Sequence, residues 1–257
     1  LLNTPLPDLT AISNLTSVGF LGTSYYAAAG PSAYMSHADN SLYWYPGNGF
    51  TGDGVTPQTP EATIGDDQYS SADTGVICQI FRQLAKAGYY PASNANNNRA
   101  VSGGTIATAT SGCLYQCDSF GTLPQLVFIN VGTNEVVAGI DATTFITSYK
   151  QLLQKLANKG VKFAVLQTVL ALSNNPTYAA SSYLTRLKEY NAAIKLLSEW
   201  VTEYLPTLSI IIDDVFPIFG GDVPNATLFR VADIHPNSLG SAKLGISAGS
   251  AAVKLLG

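Results

Sequence analysis

The stretch Ser17-Val-Gly-Phe-Leu-Gly-Thr-Ser24, running on into Tyr-Tyr-Ala-Ala-Ala-Gly30, decides the fold. Its first half is a short apolar run stopped by glycine, the pattern of a buried strand ending in a tight turn. Its second half, rich in alanine and tyrosine, starts a helix. A serine at a strand-to-helix turn carries its hydroxyl at the sheet's carboxyl edge, where open α/β sheets bind ligands. Its backbone N–H lies at a helix start, where negative charge is well met. Ser24 is therefore the candidate nucleophile. Gly-Thr-Ser alone also describes an ordinary turn or helix cap, so a base and oxyanion donors must come from elsewhere.

Downstream, strands and helices alternate. Residues 31–74 interrupt first, with Pro31, Pro46, Pro57 and Pro60, many glycines and the cluster Leu42-Tyr-Trp-Tyr45. This reads as an irregular insertion of the kind that forms a lid or binding surface. Its aromatics either pin it to the core or contact substrate, with Tyr25 and Trp44 the candidate substrate-binding residues. A helix fits Thr74–Gly88, and a short strand leads into Gly103-Gly104. Leu126–Val131 is a continuous apolar run, as in a parallel strand covered on both faces, and it ends at Gly132-Thr-Asn134. Amphipathic spacing predicts helices over Thr143–Asn158 and Tyr183–Tyr204. Strands are expected at Val161–Val169 and Leu208–Asp213, and a closing helix over 238–256. The expected fold is α/β: a single domain over 1–257, a three-layer α/β/α sandwich around a mostly parallel sheet.

Of 257 residues, 46% are hydrophobic and 12% charged, enough to bury a large core and too apolar for disorder. A net charge of −4 with no basic cluster argues against a nucleic-acid partner. No apolar run reaches the roughly 18 residues of a membrane span, so no transmembrane segment is expected. Few lysines, two sequons at Asn14 and Asn225, the Cys113-x-x-x-Cys117 pair and a first residue other than Met point to a secreted or periplasmic protein. Cys78, in a helical pattern, reads as a buried inert thiol. Two histidines and no CxxC pair argue against zinc, and the aspartates of 53–73 fit no calcium loop.

Polar groups thus gather at one sheet edge: Ser24, Gly103 with its neighbours, and Asn134. The loop Asp233-Ile-His-Pro-Asn237 before the last helix adds His235. His37, inside the insertion, reads as a surface residue. Asp213 and Asp214, at the end of the last strand, read as structural.

In these blocks the chain resembles the SGNH hydrolases, the GDSL-type serine esterases. Gly22-Thr-Ser24 corresponds to the family's first block and Asn98-Arg-Ala-Val-Ser-Gly103 to the second. Gly132-Thr-Asn134 corresponds to the third and His235-Pro-Asn to the last, in the family's order across residues 17–257. The resemblance implies a cofactor-free ester hydrolase working through an acyl-enzyme. In it Ser24 attacks the carbonyl, His235 is general base and then acid, and the oxyanion hole comprises the N–H groups of Ser24 and Gly103 and the Asn134 amide. Two departures stand out. Thr23 replaces the Asp beside the nucleophile, and Ala232 stands where the family has the Asp that orients the histidine. Asp233, one residue later, is the candidate replacement, with a Ser–His dyad as the other possibility.

Acylated carbohydrate, as acetyl esters, is the favoured substrate. The alternatives are a lipase, phospholipase or thioesterase acting on acyl chains, and a catalytically impaired binding module on the same fold. The oligomeric state is not legible.

Overall fold

The computed structural model describes residues 15, 17–22, 26, 33–35, 42–44, 76–89, 98–101, 103–120, 123–171, 181–229 and 234–257. Strand β1 (Val18–Gly22) is buried along its whole length. It pairs in parallel with β4 (Leu126–Asn130), which pairs with β5 (Phe163–Gln167), which pairs with β6 (Ser209–Asp213). On the other side of β1, residues 98–101 run parallel to it. There the Arg99 N–H donates to Phe20 O at 2.9 Å and the Val101 N–H to Gly22 O at 3.0 Å.

The chain therefore leaves β1 to one side, returns, and continues through β4 on the other. That reversal makes the carboxyl ends of β1 and β4 a topological switch point, where open parallel sheets hold ligands in a crevice.

Side chains alternate across the sheet because the pleat has a period of two. Val18, Phe20, Phe128 and Val165 face a core closed by helices α1 (Val76–Lys86) and α7 (Ser238–Leu256). Leu21, Val127, Ile129, Ala164 and Leu166 face a second core. This second layer holds the short α2 (Cys113–Gln116) and α3 (Thr133–Ala138), and the longer α4 (Ala142–Lys159), α5 (Ser181–Lys195) and α6 (Leu197–Tyr204). The expected three-layer α/β arrangement is thus the observed one.

Local chemistry sets the ends of these elements. Asp141 caps α4 by accepting from the Thr144 N–H at 2.8 Å, and Gly160 ends it in the left-handed region at φ 95°. In α1, Val76, Ile77, Ile80, Phe81 and Leu84 are all buried, as their spacing predicts.

Two expectations change. The helix read over 183–204 is two helices, α5 and α6, divided where the Leu196 N–H turns back to Ala193 O in an i−3 bond of 3.2 Å. The apolar phase of Ile194, Leu197 and Val201 carries across the break, so periodicity alone reads one helix. Within the insertion, β2 (Ala33–Met35) and β3 (Leu42–Trp44) form an antiparallel pair, with β2 against α1. That part of 31–74 is regular; the rest lies outside the described residues.

Helices α1 and α7 approach closely through glycine. A Cβ on Gly245 would lie 2.3 Å from Val76 O, and one on Gly249 would lie 2.7 Å from Gln83 Cβ. Helix α7 descends antiparallel to β6: Leu244 O meets the Gln167 amide and Ser247 meets Asp213, while Ala251 lines a groove with Ile211. The six residues before Leu244 therefore rise roughly 9 Å beyond the strand ends. Among the described residues no helix is long and apolar enough to cross a membrane.

Candidate active site

At the switch point, β1 ends on Gly22, whose φ is 148° and whose absent Cβ would lie 2.3 Å from Asn130 O. Only glycine allows that conformation and that approach to β4. Ser24 follows two residues later in the sequence, and the described residues on either side of 23–25 are both anchored. Before it, the Gly22 N–H donates to Gln116 Oε1 at 3.0 Å, and Gln116 Nε2 donates to Gly22 O at 3.1 Å and to Ser111 O at 2.7 Å. After it, Tyr26 is fully buried, edge-on to Phe20, and its carbonyl accepts from Asn98 Nδ2 at 3.0 Å.

Past the segment beside β1, the backbone turns through Gly103 at φ 78°, exposed, with open space where a Cβ would stand. Among the described residues none accepts from the Gly103 N–H. Asn134, in the first turn of α3, donates from Nδ2 to Gly104 O at 2.8 Å. A carboxamide nitrogen carries two hydrogens, so that bond orients the amide and leaves its second N–H to donate elsewhere. The next residue, Glu135, fastens the same loop: its carboxylate accepts from the Ile106 N–H at 2.7 Å and from the Gly132 N–H at 3.0 Å. Burial pushes the Glu135 carboxyl up, and those backbone donors partly oppose the shift.

Beneath the crevice lies a buried polar layer built from strand ends. Gln167, closing β5, accepts from Tyr26 Oη at 2.7 Å and from Asn130 Nδ2 at 2.9 Å. It donates to Asp213 Oδ2 at 2.8 Å, and Asp213 Oδ1 accepts from Ser247 Oγ at 2.5 Å. Burial raises the Asp213 carboxyl pKa against the lowering effect of those two donors. Asp214 pairs with Lys195 at 2.6 Å and accepts from Thr168 Oγ1 at 3.0 Å. Both aspartates are thus engaged in joining strands to helices.

His235 is half-buried in the turn that precedes α7, at the projecting end of that helix. The turn is held by an antiparallel bridge between Pro236 and Phe229, and by Asn237. Asn237 caps α7 by accepting from the Gly240 N–H at 3.0 Å and donates to Thr227 O at 2.9 Å. Gly240 permits this seat, because a Cβ there would lie 2.1 Å from Leu228 O.

Of the residues singled out from sequence, Gly103 and Asn134 share one hydrogen-bonded loop at the switch point, and His235 lies at the same edge of the sheet. Ser24, Tyr25 and Asp233 lie outside the described residues, as does the side chain of Trp44; the backbone of Trp44 pairs with Ala33 in the β2–β3 ribbon. Cys113 and Cys117 are both free and buried, so the pair lends no support to export. Burial, and then the neighbouring Glu135 carboxylate, push the Cys113 thiol well up, which makes it an inert core group.

Three anchoring residues escaped the sequence reading: Gln116, Glu135 and Gln167. The available signal is the same for each, a polar side chain in phase with buried apolar neighbours. Gln116 shares a face with Cys113, Glu135 sits between Val131 and Val136, and Gln167 closes the run Phe-Ala-Val-Leu.

A model of the GDSL-like Lipase/Acylhydrolase family matches residues 62–243, a span holding Gly103, Asn134 and His235 and beginning after Ser24. No curated protein matches the chain. Among solved structures, the psychrotrophic esterase EstA from Pseudoalteromonas sp. is similar at 16% identity and TM-score 0.58, over 95% of this chain and 99% of its own. A carbohydrate esterase family 3 protein from Talaromyces cellulolyticus is similar at 17% identity and TM-score 0.56, over 94% and 98%. A GDSL-like lipase from Bacteroides thetaiotaomicron VPI-5482 is similar at 13% identity and TM-score 0.56, over 98% and 92%. These likenesses are of fold.

Proposed function

Because the chain belongs to the GDSL-like lipase/acylhydrolase family and is a carboxylic ester hydrolase, we propose that it works through a serine acyl-enzyme at the switch point of its sheet. Ser24 is the nucleophile. His235 takes its proton and returns it to the leaving alcohol. Asp233 orients the imidazole. The tetrahedral oxyanion receives the N–H groups of Ser24 and Gly103 and the second N–H of the Asn134 amide. Water then repeats the sequence on the acyl-enzyme and releases the acid.

The observation that carries this reading is the Asn134-to-Gly104 hydrogen bond at 2.8 Å. It supports a common role for the two loops because it ties Asn134 to the residue after Gly103 and leaves one amide hydrogen of Asn134 over, while the Gly103 N–H is unengaged among the described residues. Acylated carbohydrate, as acetyl esters, is the substrate class we favour, on the aromatic cluster Leu42-Tyr-Trp-Tyr45 and Tyr25 near the nucleophile.

The test is hydrolysis of p-nitrophenyl esters from acetate to palmitate, followed by acetylated polysaccharide. The wild type turns over the short esters best, and Ser24→Ala lowers kcat by about 10⁴-fold or more. Asn134→Ala lowers kcat by about 10²–10³ with little change in KM. Asp233→Asn lowers it by up to about 10⁴ if that carboxylate holds the imidazole; an unchanged rate would make the machinery a Ser–His dyad. Preference for long acyl chains would overturn the substrate class, and an active Ser24→Ala would overturn the nucleophile.

A further inference from the structure

One side chain connects the end of β1 at Gly22 to the loop that carries Gly103, and it belongs to none of the sequence blocks. Gln116 is 2% exposed, and every polar atom of its amide is used. Oε1 takes the N–H of Gly22, while Nε2 gives one hydrogen to Gly22 O and the other to Ser111 O, all at 2.7–3.1 Å. Gly22 is two residues before Ser24. Ser111 is packed against Gly104 so closely that a Cβ on Gly104 would lie 2.7 Å from Ser111 O. Gly104 O in turn receives the Asn134 amide at 2.8 Å. A continuous path thus runs from Gly22 through Gln116, Ser111 and Gly104 to Asn134.

Two of these links are unusual for their positions. At the end of β1, Gly22 O accepts from the Val101 N–H of the segment beside it at 3.0 Å. At the same residue the amide of Gln116 supplies a second donor to Gly22 O and the acceptor for the Gly22 N–H. The helix that presents it has only four residues, Cys113–Gln116, held by Gly112, where a Cβ would lie 2.5–2.6 Å from three backbone atoms of 105–108. The 103–116 segment is therefore folded tightly on itself, and it meets the end of β1 at Gly22 through Gln116.

We propose that Gln116 is a positioning residue for ester hydrolysis: it holds the end of β1 at Gly22, two residues before Ser24, against the loop that carries Gly103 and receives Asn134. The inference rests on the serine mechanism proposed above. Displacement of a reacting group by about 1 Å costs about 10²-fold in rate, and a buried amide with three satisfied bonds is stiff enough to prevent it.

The test compares Gln116→Met and Gln116→Glu with the wild type on a p-nitrophenyl ester, at a temperature well below the unfolding midpoint of each. Met keeps the volume and loses all three bonds. Glu keeps the acceptor for the Gly22 N–H but turns an oxygen toward Gly22 O and Ser111 O. The expected result is a fall in kcat of about 10²-fold in each folded variant, with KM within about threefold of wild type. A purely stabilising role would leave kcat of the folded enzyme unchanged, because nearly all molecules are native at that temperature. A kcat within threefold of wild type in either folded variant overturns the proposal, and so does a loss carried by KM alone. Failure of both variants to fold would make Gln116 a structural pin and also overturn it. Ser24→Ala, assayed alongside, separates the two ideas: if it stays active the serine mechanism fails, whatever Gln116 does.

Discussion

Glu135 and Asp213 are both buried carboxylates beside the crevice, and their surroundings predict opposite responses to the same substitution. Glu135 faces two backbone N–H groups, of Ile106 and Gly132, which can only donate. In Glu135→Gln, one of them meets an NH₂ and is left unsatisfied in the interior. We expect a loss of roughly 1–3 kcal/mol in urea denaturation, together with a lower kcat as the loop of Gly103 loosens. Stability equal to wild type would show that the two N–H groups find other partners. Asp213 faces Ser247 Oγ, which rotates to accept, and the Gln167 amide, which donates. A carboxamide can satisfy both, so Asp213→Asn should fold with wild-type stability or better at neutral pH.

Among the elements, the junction of α1 and α7 leaves little room for added atoms. Helix α7 follows the turn of His235 and is tied to the buried polar layer through the Gln167 bond to Leu244 O, so its seat on α1 sets the height of the candidate base above the sheet. The seat depends on Gly245, where a Cβ meets Val76 O at 2.3 Å, a backbone atom that cannot swing aside. Gly245→Ala should therefore cost about 1–3 kcal/mol by overpacking, despite the better helix propensity of alanine. It should also lower kcat, because the helix must move off α1. A stabilised variant, as propensity alone predicts, would show that the helices have room to separate.

For the molecule as a whole, pH dependence follows from the same buried acids. Asp213 and Glu135 have folded pKa values raised by burial, above the ordinary 3.8 and 4.5. In the window between unfolded and folded pKa the native state holds more protons than the unfolded one, so stability falls as pH rises from about 4 through the raised values. The exposed carboxylates Asp118 and Asp141 are shifted down by their hydrogen bonds. Their support is present above the unfolded pKa and is lost only at lower pH, so the two windows separate. Denaturation at intervals from pH 4 to 7 should show a decline in wild type that is smaller in Asp213→Asn. Parallel curves for the two proteins would mean that Asp213 does not titrate differently on folding.

Much of this architecture is legible in the chain itself. Ser17–Gly22 and Leu126–Val131 announce buried strands because parallel strands covered on both faces need unbroken apolar runs, and glycines at 22, 132 and 160 mark their ends or those of the helices. The order of Gly22-Thr-Ser24, Gly103, Asn134 and His235 along the chain matches the blocks of the SGNH hydrolases, and it is that resemblance that implies an esterase; alternation of strands and helices places the blocks only at the carboxyl edge of the sheet. What the sequence could not carry is any relation between segments far apart in it. Gln116 and Gly22 are 94 residues apart, and Gln167 and Asp213 are 46 apart, so their pairing exists only once the sheet has brought strand ends together. The division of the 183–204 helix was equally hidden, because one i−3 bond at Leu196 breaks the backbone without disturbing the apolar phase. Sequence alone determined which residues are apolar, where the chain turns and which groups can do chemistry. Tertiary structure decided which buried polar side chains hold those groups together, because a buried amide or carboxylate is stable only where distant backbone donors and acceptors satisfy it.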